Sequence, residues 1–197
     1  MKNLEDFVYV SNVFSSEFCD SILSRIESED RNWVKHTWYN ESLHRRNEKF
    51  SGVDQDYKEL DVLYHNNNNF TEIEQELIPF LVRSCEDYCE TNSYDSRIVV
   101  SNLSNFRFNR YEKDSLMQKH YDHIHTLFTP PIRGIPTLSF IGILNDDFVG
   151  GELVFFDDYK ISPKKGDLII FPSCFMFPHK VNKIVNGTRY SFVAWGY

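Results

Sequence analysis

The residues best suited to chemistry lie between Met117 and Thr126, where the sequence reads MQKHYDHIHT. Three histidines and one aspartate occupy the six positions from His120 to His125. In a β-strand, side chains at positions i and i+2 point to the same face, so His120 and Asp122 would direct an imidazole nitrogen and a carboxylate oxygen to one point. The pattern predicts two ligands of a metal ion, to be completed by a second histidine from a distant strand.

His179 lies 57 residues beyond Asp122, and Arg189 follows ten residues later at the start of a mostly apolar strand. Arg189 and Ser191 would share one face of that strand. Because a buried arginine is costly without a partner, it predicts either a salt bridge within the protein or a carboxylate ligand held by the guanidinium fork. Between the two candidate residues, Asn186-Gly187 predicts a tight hairpin, which would bring His179 and Arg189 near one centre.

Two histidines and one carboxylate on one face of a metal are typical of non-haem iron(II) oxygenases, because they leave coordination positions open. A cupin site would pair His123-x-His125 with a glutamate close downstream, but TLFTPPIRG follows instead. A zinc hydrolase could use the same ligands, yet the chain has no HExxH motif, no Gly-x-Ser-x-Gly elbow and no phosphate loop.

Length and composition favour one soluble globular domain over residues 1–197. Of the 197 residues, 41% are hydrophobic and 25% are charged, which is ordinary for a folded protein. The formal net charge of −8 argues against broad binding to nucleic-acid phosphates. We therefore expect no nucleic-acid partner.

The sequence also predicts a cytoplasmic protein without a membrane segment. MKNLEDFVYV at the start lacks the apolar run of a signal peptide, and no stretch approaches the roughly 18 apolar residues that a spanning helix requires. The four cysteines lack the spacing of a zinc site and are expected to be reduced thiols.

The first half of the chain predicts helices and loops around short strands. Ser15 or Ser16 would cap a helix with Phe18, Ile22 and Ile26 as its buried stripe. A second helix would begin at Thr71 with Glu74 in a capping box, and Pro79 should kink it or split it in two. The polar loop 40–69, with Arg45 and Arg46, and the loop 126–136 are hypothesised to shape access to the site.

The second half predicts strands separated by turns. They are expected at 97–100, 103–110, around His120, and at 137–145, 152–156, 167–171, 179–185 and 189–197. Such spacing without intervening helices predicts a mainly β fold with supporting N-terminal helices, a double-stranded β-helix or jelly roll. Residues 1–96 would supply helical support and recognition loops, and residues 97–197 the jelly-roll core.

These motifs resemble those of the 2-oxoglutarate- and Fe(II)-dependent oxygenases, and within them the prolyl 4-hydroxylase-like group. The resemblance covers roughly residues 103–197 and, more weakly, the N-terminal FVYVSNVFSSEFCDSIL. Besides His120-x-Asp122, His179 and Arg189, it rests on four ordered motifs: NRYEKDSLMQKHYD, GGELVFFD, ISPKKGDLIIFPS and HKVNKIVNGTRYSFVAW.

The resemblance implies that His120, Asp122 and His179 hold Fe(II). It also implies that Arg189 binds the far carboxylate of 2-oxoglutarate, assisted by Ser191. These residues would form the catalytic and cofactor-binding set.

Further positions follow from the same resemblance. Tyr111 matches a family tyrosine that hydrogen-bonds the cosubstrate, and Trp195 matches an aromatic residue that lines the pocket. Ile143 departs from the pattern, since some relatives carry another tyrosine there. His123 and His125 are weaker candidates for the substrate side of the metal.

The implied activity is that of a dioxygenase that uses Fe(II), 2-oxoglutarate and O2, with ascorbate in support, to hydroxylate an unactivated C–H bond. A proline-containing peptide or protein is the leading substrate, which would make the protein a peptidyl-proline 4-hydroxylase. The alternatives are an oxygenase acting on a free amino acid or another small molecule, and a non-catalytic jelly-roll binding module. The complete set of candidate ligands favours an enzyme.

Overall fold

The computed structural model describes residues 2–28, 31–36, 58–65, 70–122 and 135–197. Within these ranges, two helices cover one face of a large antiparallel sheet, and a smaller sheet packs on the other face. This is the mainly β, jelly-roll architecture that the strand spacing predicts. None of the described helices is long and apolar enough to span a bilayer.

Among the described residues, the N-terminal half contributes three helices, one 3-10 turn and three strands. In chain order they are the 3-10 turn Leu4–Phe7, β1 (Tyr9–Asn12), α1 (Ser16–Ile26), β2 (Val34–Lys35), β3 (Asp61–Tyr64), α2 (Thr71–Asn92) and α3 (Ser96–Val99). The described part of the C-terminal half forms ten strands. They are β4 (Arg107–Tyr111), β5 (Met117–His120), β6 (Leu138–Ile143), β7 (Val149–Gly150), β8 (Leu153–Phe155), β9 (Tyr159–Ile161), β10 (Asp167–Pro172), β11 (His179–Val181), β12 (Ile184–Asn186) and β13 (Arg189–Gly196).

The major sheet has the strand order β1-β10-β6-β13-β4-β3-β2, so N-terminal strands form both of its edges. The minor sheet has the order β5-β11-β8-β9, and β12 pairs with β7 in a separate ribbon. The final strand, β13, lies between β6 and β4 in the centre of the major sheet. Side chains that point from β13 toward the minor sheet therefore enter the middle of the molecule.

One hydrophobic core lies on each face of the major sheet. The core on the helical side includes Ile22 of α1, Leu77 of α2 and the sheet residues Phe108 and Phe192. The core between the sheets includes Tyr111, Ile141, Phe155, Phe171 and Val193. Alternation along β4 and β13 thus divides their side chains as the sequence predicts, with one set toward the helices and the other toward the interior of the jelly roll.

The first helix forms largely as expected. The hydroxyl of Ser15 accepts a hydrogen bond from the backbone N–H of Phe18 at 3.2 Å, which caps α1. Ile22 and Ile26 are buried, whereas Phe18 is only half-buried and Cys19 takes the fully buried position beside them.

The second helix departs from the prediction at its N-terminus. The expected capping box is absent, because Phe70 is the N-cap and the Glu74 side chain bonds elsewhere. One carboxylate oxygen of Glu74 accepts the backbone N–H of Phe106 at 2.9 Å, so it tethers α2 to the start of β4. Of the two effects predicted for Pro79, a kink or a split, the split does not occur, because α2 runs from Thr71 to Asn92 with Pro79 inside it. Its buried face, including Leu77 and Leu81 on either side of Pro79, packs on the sheet and offsets the lost backbone hydrogen bond.

The predicted strand at 97–100 is wrong, since Ser96–Val99 form a helical turn. Asp95 caps this turn by accepting the backbone N–H of Arg97 at 3.0 Å. This local side-chain bond outweighs the β preference of Val99 and Val100. The short strands β7 and β9 also lie outside the predicted set.

The Asn186-Gly187 turn does not close a hairpin. It joins β12, which pairs with β7, to β13, which pairs with β4 and β6. Gly187 has φ +78°, and a Cβ there would lie 2.6 Å from the carbonyl oxygen of Asp147. The turn therefore moves the chain from one sheet to another, and His179 and Arg189 lie in different sheets.

Several predicted features fall outside the described residues. They are His123 and His125, Arg45 and Arg46, most of the loop 40–69, and the loop 126–136 up to residue 134. Their hypothesised roles remain predictions from the sequence.

Candidate metal centre and its pocket

Three side chains from two neighbouring strands meet at one point between the sheets. β5 and β11 pair antiparallel, with His120 directly opposite His179. Asp122 Oδ1 lies 3.4 Å from His120 Nε2 and 3.8 Å from His179 Nε2. Each residue offers one ligand atom, and these atoms lie within 4.8 Å of one another. This spacing could hold a single metal ion, with two nitrogen donors and one carboxylate oxygen.

Strand alternation, which predicts that His120 and Asp122 point to one face, does not explain why their side chains converge. β5 ends at His120, so Asp122 lies beyond the strand and is not placed by strand alternation. It is placed instead by a hydrogen bond from the hydroxyl of Ser139 on β6, which reaches Asp122 Oδ2 at 2.7 Å. The other oxygen, Oδ1, is the one that faces the two histidines.

Backbone carbonyls orient both imidazole rings. His120 Nδ1 lies 2.7 Å from the carbonyl oxygen of Gln118, and His179 Nδ1 lies 3.0 Å from that of Phe177. A carbonyl oxygen only accepts, so each Nδ1 must carry the proton and donate it. Each Nε2 then keeps its lone pair toward the centre, which is the tautomer that a metal requires.

A second hydroxyl extends the support of Asp122. Ser139 Oγ lies 2.7 Å from Ser173 Oγ, and both serines are buried. Since Ser139 gives its one proton to the carboxylate, Ser173 donates to Ser139. These two hydrogen bonds connect Ser173, which follows β10, through Ser139 of β6 to the candidate ligand Asp122.

The electrostatics favour an ionised Asp122 beside a neutral His179. Burial raises the pKa of the Asp122 carboxyl, but His179, His120 and the Ser139 hydrogen bond together hold it below its usual range. Burial lowers the pKa of His179 to about 4, against an opposing effect of Asp122. His179 is therefore neutral near pH 7 and able to donate its lone pair.

A buried arginine lies deeper in the same pocket. Arg189 is 1% exposed, and its Cζ lies 5.0 Å from the centre of the Tyr111 ring. Among the described residues, its Nε and Nη2 atoms have no hydrogen-bond partner, and neither has the buried hydroxyl of Ser191. Burial lowers the pKa of the guanidinium, and the Tyr111 hydroxyl counteracts this. Within the described ranges, no protein carboxylate forms the salt bridge that was the sequence alternative for Arg189.

One pocket joins these groups. Its lining residues come from both sheets and are Arg107, Asn109, Tyr111, Met117, His120, Asp122, Ile141, Leu153, His179, Val181, Arg189, Ser191 and Val193. The strand register orders the major-sheet wall: Tyr111 faces Arg189, Asn109 faces Ser191 and Arg107 faces Val193. The predicted residues Tyr111, Arg189 and Ser191 thus share the pocket with the three candidate ligands.

Sequence reasoning missed two polar residues of this wall. Arg107 and Asn109 alternate with Phe106 and Phe108, whose placement on one side of the strand was predicted. The same alternation, followed through to Tyr111, could have placed both polar residues in the pocket.

Trp195, the predicted aromatic of the pocket, lies on β13 two residues beyond the lining residue Val193 and is not itself among the lining residues. The guanidinium carbon of Arg107 is 5.3 Å from its ring centre. Its indole Nε1 is buried and has no acceptor within the part of the chain that the structure describes.

A comparison with protein families matches residues 106–197 to the 2OG-Fe(II) oxygenase superfamily, where 2OG is 2-oxoglutarate. Through this stretch the chain is similar to that superfamily. The match begins at β4 and includes His120, Asp122, His179 and Arg189. No curated protein sequence matches the chain.

Solved structures of prolyl hydroxylases share the fold of this chain. A prolyl hydroxylase from Trichoplax adhaerens, in complex with a peptide fragment of the hypoxia inducible factor oxygen degradation domain, has a TM-score of 0.66 and 15% identity over 98% of this chain and 84% of that one. The Pseudomonas putida prolyl-4-hydroxylase gives 0.60 and 14%, with 96% and 91% covered. The viral collagen prolyl hydroxylase of Paramecium Bursaria Chlorella virus-1, in its 2OG complex, gives 0.57 and 14%, with 96% and 94% covered. At these identities the similarity establishes a shared fold.

Proposed function

We propose that the protein is an Fe(II)- and 2-oxoglutarate-dependent dioxygenase in which His120, Asp122 and His179 hold the iron. The observation that carries the proposal is the convergence of their three ligand atoms within 4.8 Å, inside the domain that the family match covers. Two imidazoles and one carboxylate are the donor set of non-haem Fe(II) oxygenases. Carbonyl-bound Nδ1 atoms and the Ser139 hydroxyl supply the outer hydrogen bonds that such a centre needs.

The cosubstrate is assigned to the Arg189 end of the pocket. A dicarboxylate fits there because the unpartnered Nε and Nη2 atoms of Arg189 present a fork that can bind a carboxylate with two hydrogen bonds. The Ser191 hydroxyl, which is also buried and unpartnered among the described residues, would add a third hydrogen bond. Tyr111 holds the guanidinium in place through its ring and hydroxyl.

When bound, iron and 2-oxoglutarate supply the activation of O2 that oxidises an unactivated C–H bond. The chain binds and orients these groups and excludes water from them. His179 packs between Phe155 and Phe171, with ring centres 5.4 and 4.8 Å away, and these rings shield the inner side of the centre. The fixed position of Arg189 sets the orientation of the cosubstrate before any reaction.

The leading substrate is a proline residue in a peptide or protein, with ascorbate as a supporting reductant. This part of the proposal draws on the shared fold with the Trichoplax adhaerens enzyme in its peptide complex and on the viral collagen prolyl hydroxylase. A free amino acid or another small molecule is the alternative substrate. A non-catalytic binding module is disfavoured, because the chain retains every candidate ligand and the buried arginine.

The proposal is tested by succinate formation from 2-oxoglutarate, with Fe(II), ascorbate and a panel of proline-containing peptides. His179→Ala should abolish turnover. Lys180→Ala alters the adjacent position of the same strand, whose side chain points to the opposite face, and should keep it. Peptide-stimulated turnover that is lost only in His179→Ala would support both the chemistry and the substrate. Low turnover without peptide stimulation would support the iron chemistry and favour the small-molecule alternative.

Calorimetry provides a readout that does not depend on turnover. The wild type should bind 2-oxoglutarate when Mn(II) replaces Fe(II). Absence of both binding and turnover would overturn the proposed activity in favour of a binding module.

A further inference from the structure

Arg107 is a second arginine in the pocket, and neither the iron site nor the cosubstrate site uses it. It lies on β4, two and four residues before Asn109 and Tyr111, and points to the same interior face. Its guanidinium lies over the Trp195 ring, with 5.3 Å between Cζ and the ring centre. The attraction between the cation and the indole ring requires none of the guanidinium N–H donors.

Two buried donors lie at this end of the pocket. Neither Nε of Arg107 nor Nε1 of Trp195 has an acceptor among the residues described. Arg110, three positions further along the strand, faces the other way and is paired: its Nη2 lies 3.2 Å from Asp61 and its Nη1 lies 3.5 Å from Glu27. Arg110 on the outer face of β4 thus has two carboxylate partners. Arg107 on the inner face has no carboxylate partner among the described residues.

The two pocket arginines define two separate anion positions. Arg189 is opposite Tyr111 in the strand register, whereas Arg107 is opposite Val193. Four residues along a strand separate the α-carbons of Arg107 and Tyr111 by about 13 Å. Both arginines nevertheless line the same pocket, together with Tyr111.

Charge balance assigns Arg107 to a different ligand from 2-oxoglutarate. In the proposed complex, the charges of Fe(II), Asp122, Arg189 and the dianionic cosubstrate cancel, and imidazole ligands of a metal are neutral. Arg107 then adds one positive charge that no described residue of the pocket balances. A partly buried, uncompensated cation is unfavourable unless a counter-anion joins it.

We infer that the substrate carries a carboxylate, which binds Arg107 within reach of the Trp195 indole N–H and lies close to the carbon that is oxidised. The inference rests on the proposed function and narrows its substrate class. It favours an amino acid or a peptide end with a free carboxylate, or a residue beside an acidic side chain. An internal residue with only neutral neighbours is disfavoured. Arg107 is a specificity-determining residue in this scheme.

Matched pairs of ligands that differ only in this charge test the inference. Each N-acetyl amino acid in a panel containing proline and leucine is compared with its primary amide, and acetyl-Pro-Glu-amide with acetyl-Pro-Gln-amide. Binding is measured by calorimetry on the protein loaded with Mn(II) and 2-oxoglutarate, and succinate formation is measured with Fe(II). At least one acid should bind the wild type about tenfold or more tightly than its neutral partner.

Three variants test whether Arg107 is responsible for the preference for an acid over its neutral partner. Arg107→Met keeps the length of the side chain and should bring acid and amide within about twofold of each other. Arg107→Lys keeps the charge and should retain part of the acid preference. Arg83→Met is the matched control, because this arginine has a side chain that is 77% exposed on α2 and should leave the full preference in place.

The possible results separate the inference from the proposed function. Equal binding of every acid and its neutral partner to the wild type, with 2-oxoglutarate binding intact, would overturn the carboxylate inference and leave the oxygenase standing. An acid preference that survives Arg107→Met would also overturn it. Failure of the wild type to bind 2-oxoglutarate would overturn the proposed function, and the inference with it. The two acid types in the panel distinguish a terminal carboxylate from an acidic side chain.

Discussion

Ser139 Oγ lies 2.7 Å from Asp122 Oδ2, and this hydrogen bond orients the carboxylate of the candidate metal centre. Asp122 follows the end of β5, so the backbone of the strand does not fix its side chain. The bond occupies one carboxylate oxygen and leaves Oδ1 facing His120 and His179. Ser139 is accordingly a positioning residue, and the affinity of the centre for metal should depend on it.

Ser139→Ala should weaken Fe(II) or Mn(II) binding by roughly 10- to 100-fold, as the loss of an outer hydrogen bond typically does. Without the hydroxyl, the pKa of Asp122 should rise and its side chain should rotate more freely. Titration calorimetry with Mn(II) measures the effect. Ser21→Ala, at an exposed position of α1, should leave the affinity unchanged. A Ser139→Ala protein that binds Mn(II) like the wild type would show that Asp122 is held by other contacts.

Arg189→Met should reduce the affinity for 2-oxoglutarate by on the order of 100-fold, because it removes a buried charged partner of a carboxylate. The metal site should keep its affinity for Mn(II), since Arg189 is not among the converging ligands. Without ligand, the melting temperature should stay the same or rise, because a buried cation without a carboxylate partner is replaced by an apolar side chain. Calorimetry and thermal melts with and without 2-oxoglutarate check the prediction. A variant that still gains wild-type thermal stability from 2-oxoglutarate would contradict it.

His36 should make the stability of the metal-free protein depend on pH. It is 7% exposed, and burial, followed by the positive charges of Arg107 and His120, lowers its pKa from 6.5 to about 3. As the pH falls below 6.5, the unfolded chain binds a proton at this residue and the native protein does not, so stability is lost with acidification. The loss from this one histidine should be about 1.5 kcal/mol between pH 6.5 and about 5.

His36→Gln isolates that contribution from the carboxylates and from His179, which is also buried and neutral. Urea unfolding at several pH values should show a smaller loss of stability on acidification in the variant than in the wild type. Parallel pH profiles for the two proteins would contradict the prediction.

Glu74→Ala should destabilise the protein by about 1–3 kcal/mol, because the backbone N–H of Phe106 would lose its buried acceptor. The variant would also detach α2 from the entry to β4, the strand that carries Tyr111. Glu72→Ala is the matched control, since its side chain is 91% exposed on the same turn and should change stability by less than about 0.5 kcal/mol. Equilibrium urea unfolding followed by circular dichroism measures both. Equal stabilities for the two variants would show that the tether is dispensable.

Local sequence patterns predicted which face of a strand each side chain occupies, but they did not predict which strands pair with each other. The alternation in β13 placed Arg189 and Ser191 on one face and Phe192 on the other, and the structure confirms it. The pairing of His120 with His179 joins residues that are 59 positions apart, and no local pattern encodes it. His36 follows a strand of only two residues, too short for any periodicity to reveal its burial.

Two of the errors arose where a predicted local interaction competed with a partner from elsewhere in the fold. Glu74 matched a capping pattern, yet its carboxylate found a distant backbone donor instead. Asn186-Gly187 matched a hairpin pattern, yet the strands on its two sides have different neighbours. In both cases the predicted local bond competed with a tertiary partner that only the folded chain brings near.

The N-terminal strands at both edges of the major sheet also constrain when the sheet can be completed during synthesis of the chain. β1 pairs with β10, with Tyr9 opposite Ile170, and β3 pairs with β4 on the other side. During synthesis, β1 must wait for nearly the whole chain to emerge before its partner exists. A fragment limited to residues 106–197 would expose the outer backbones of β4 and β10 as two open edges, which favours aggregation. The stretch that matches the superfamily model is therefore shorter than the unit that can complete its own sheet.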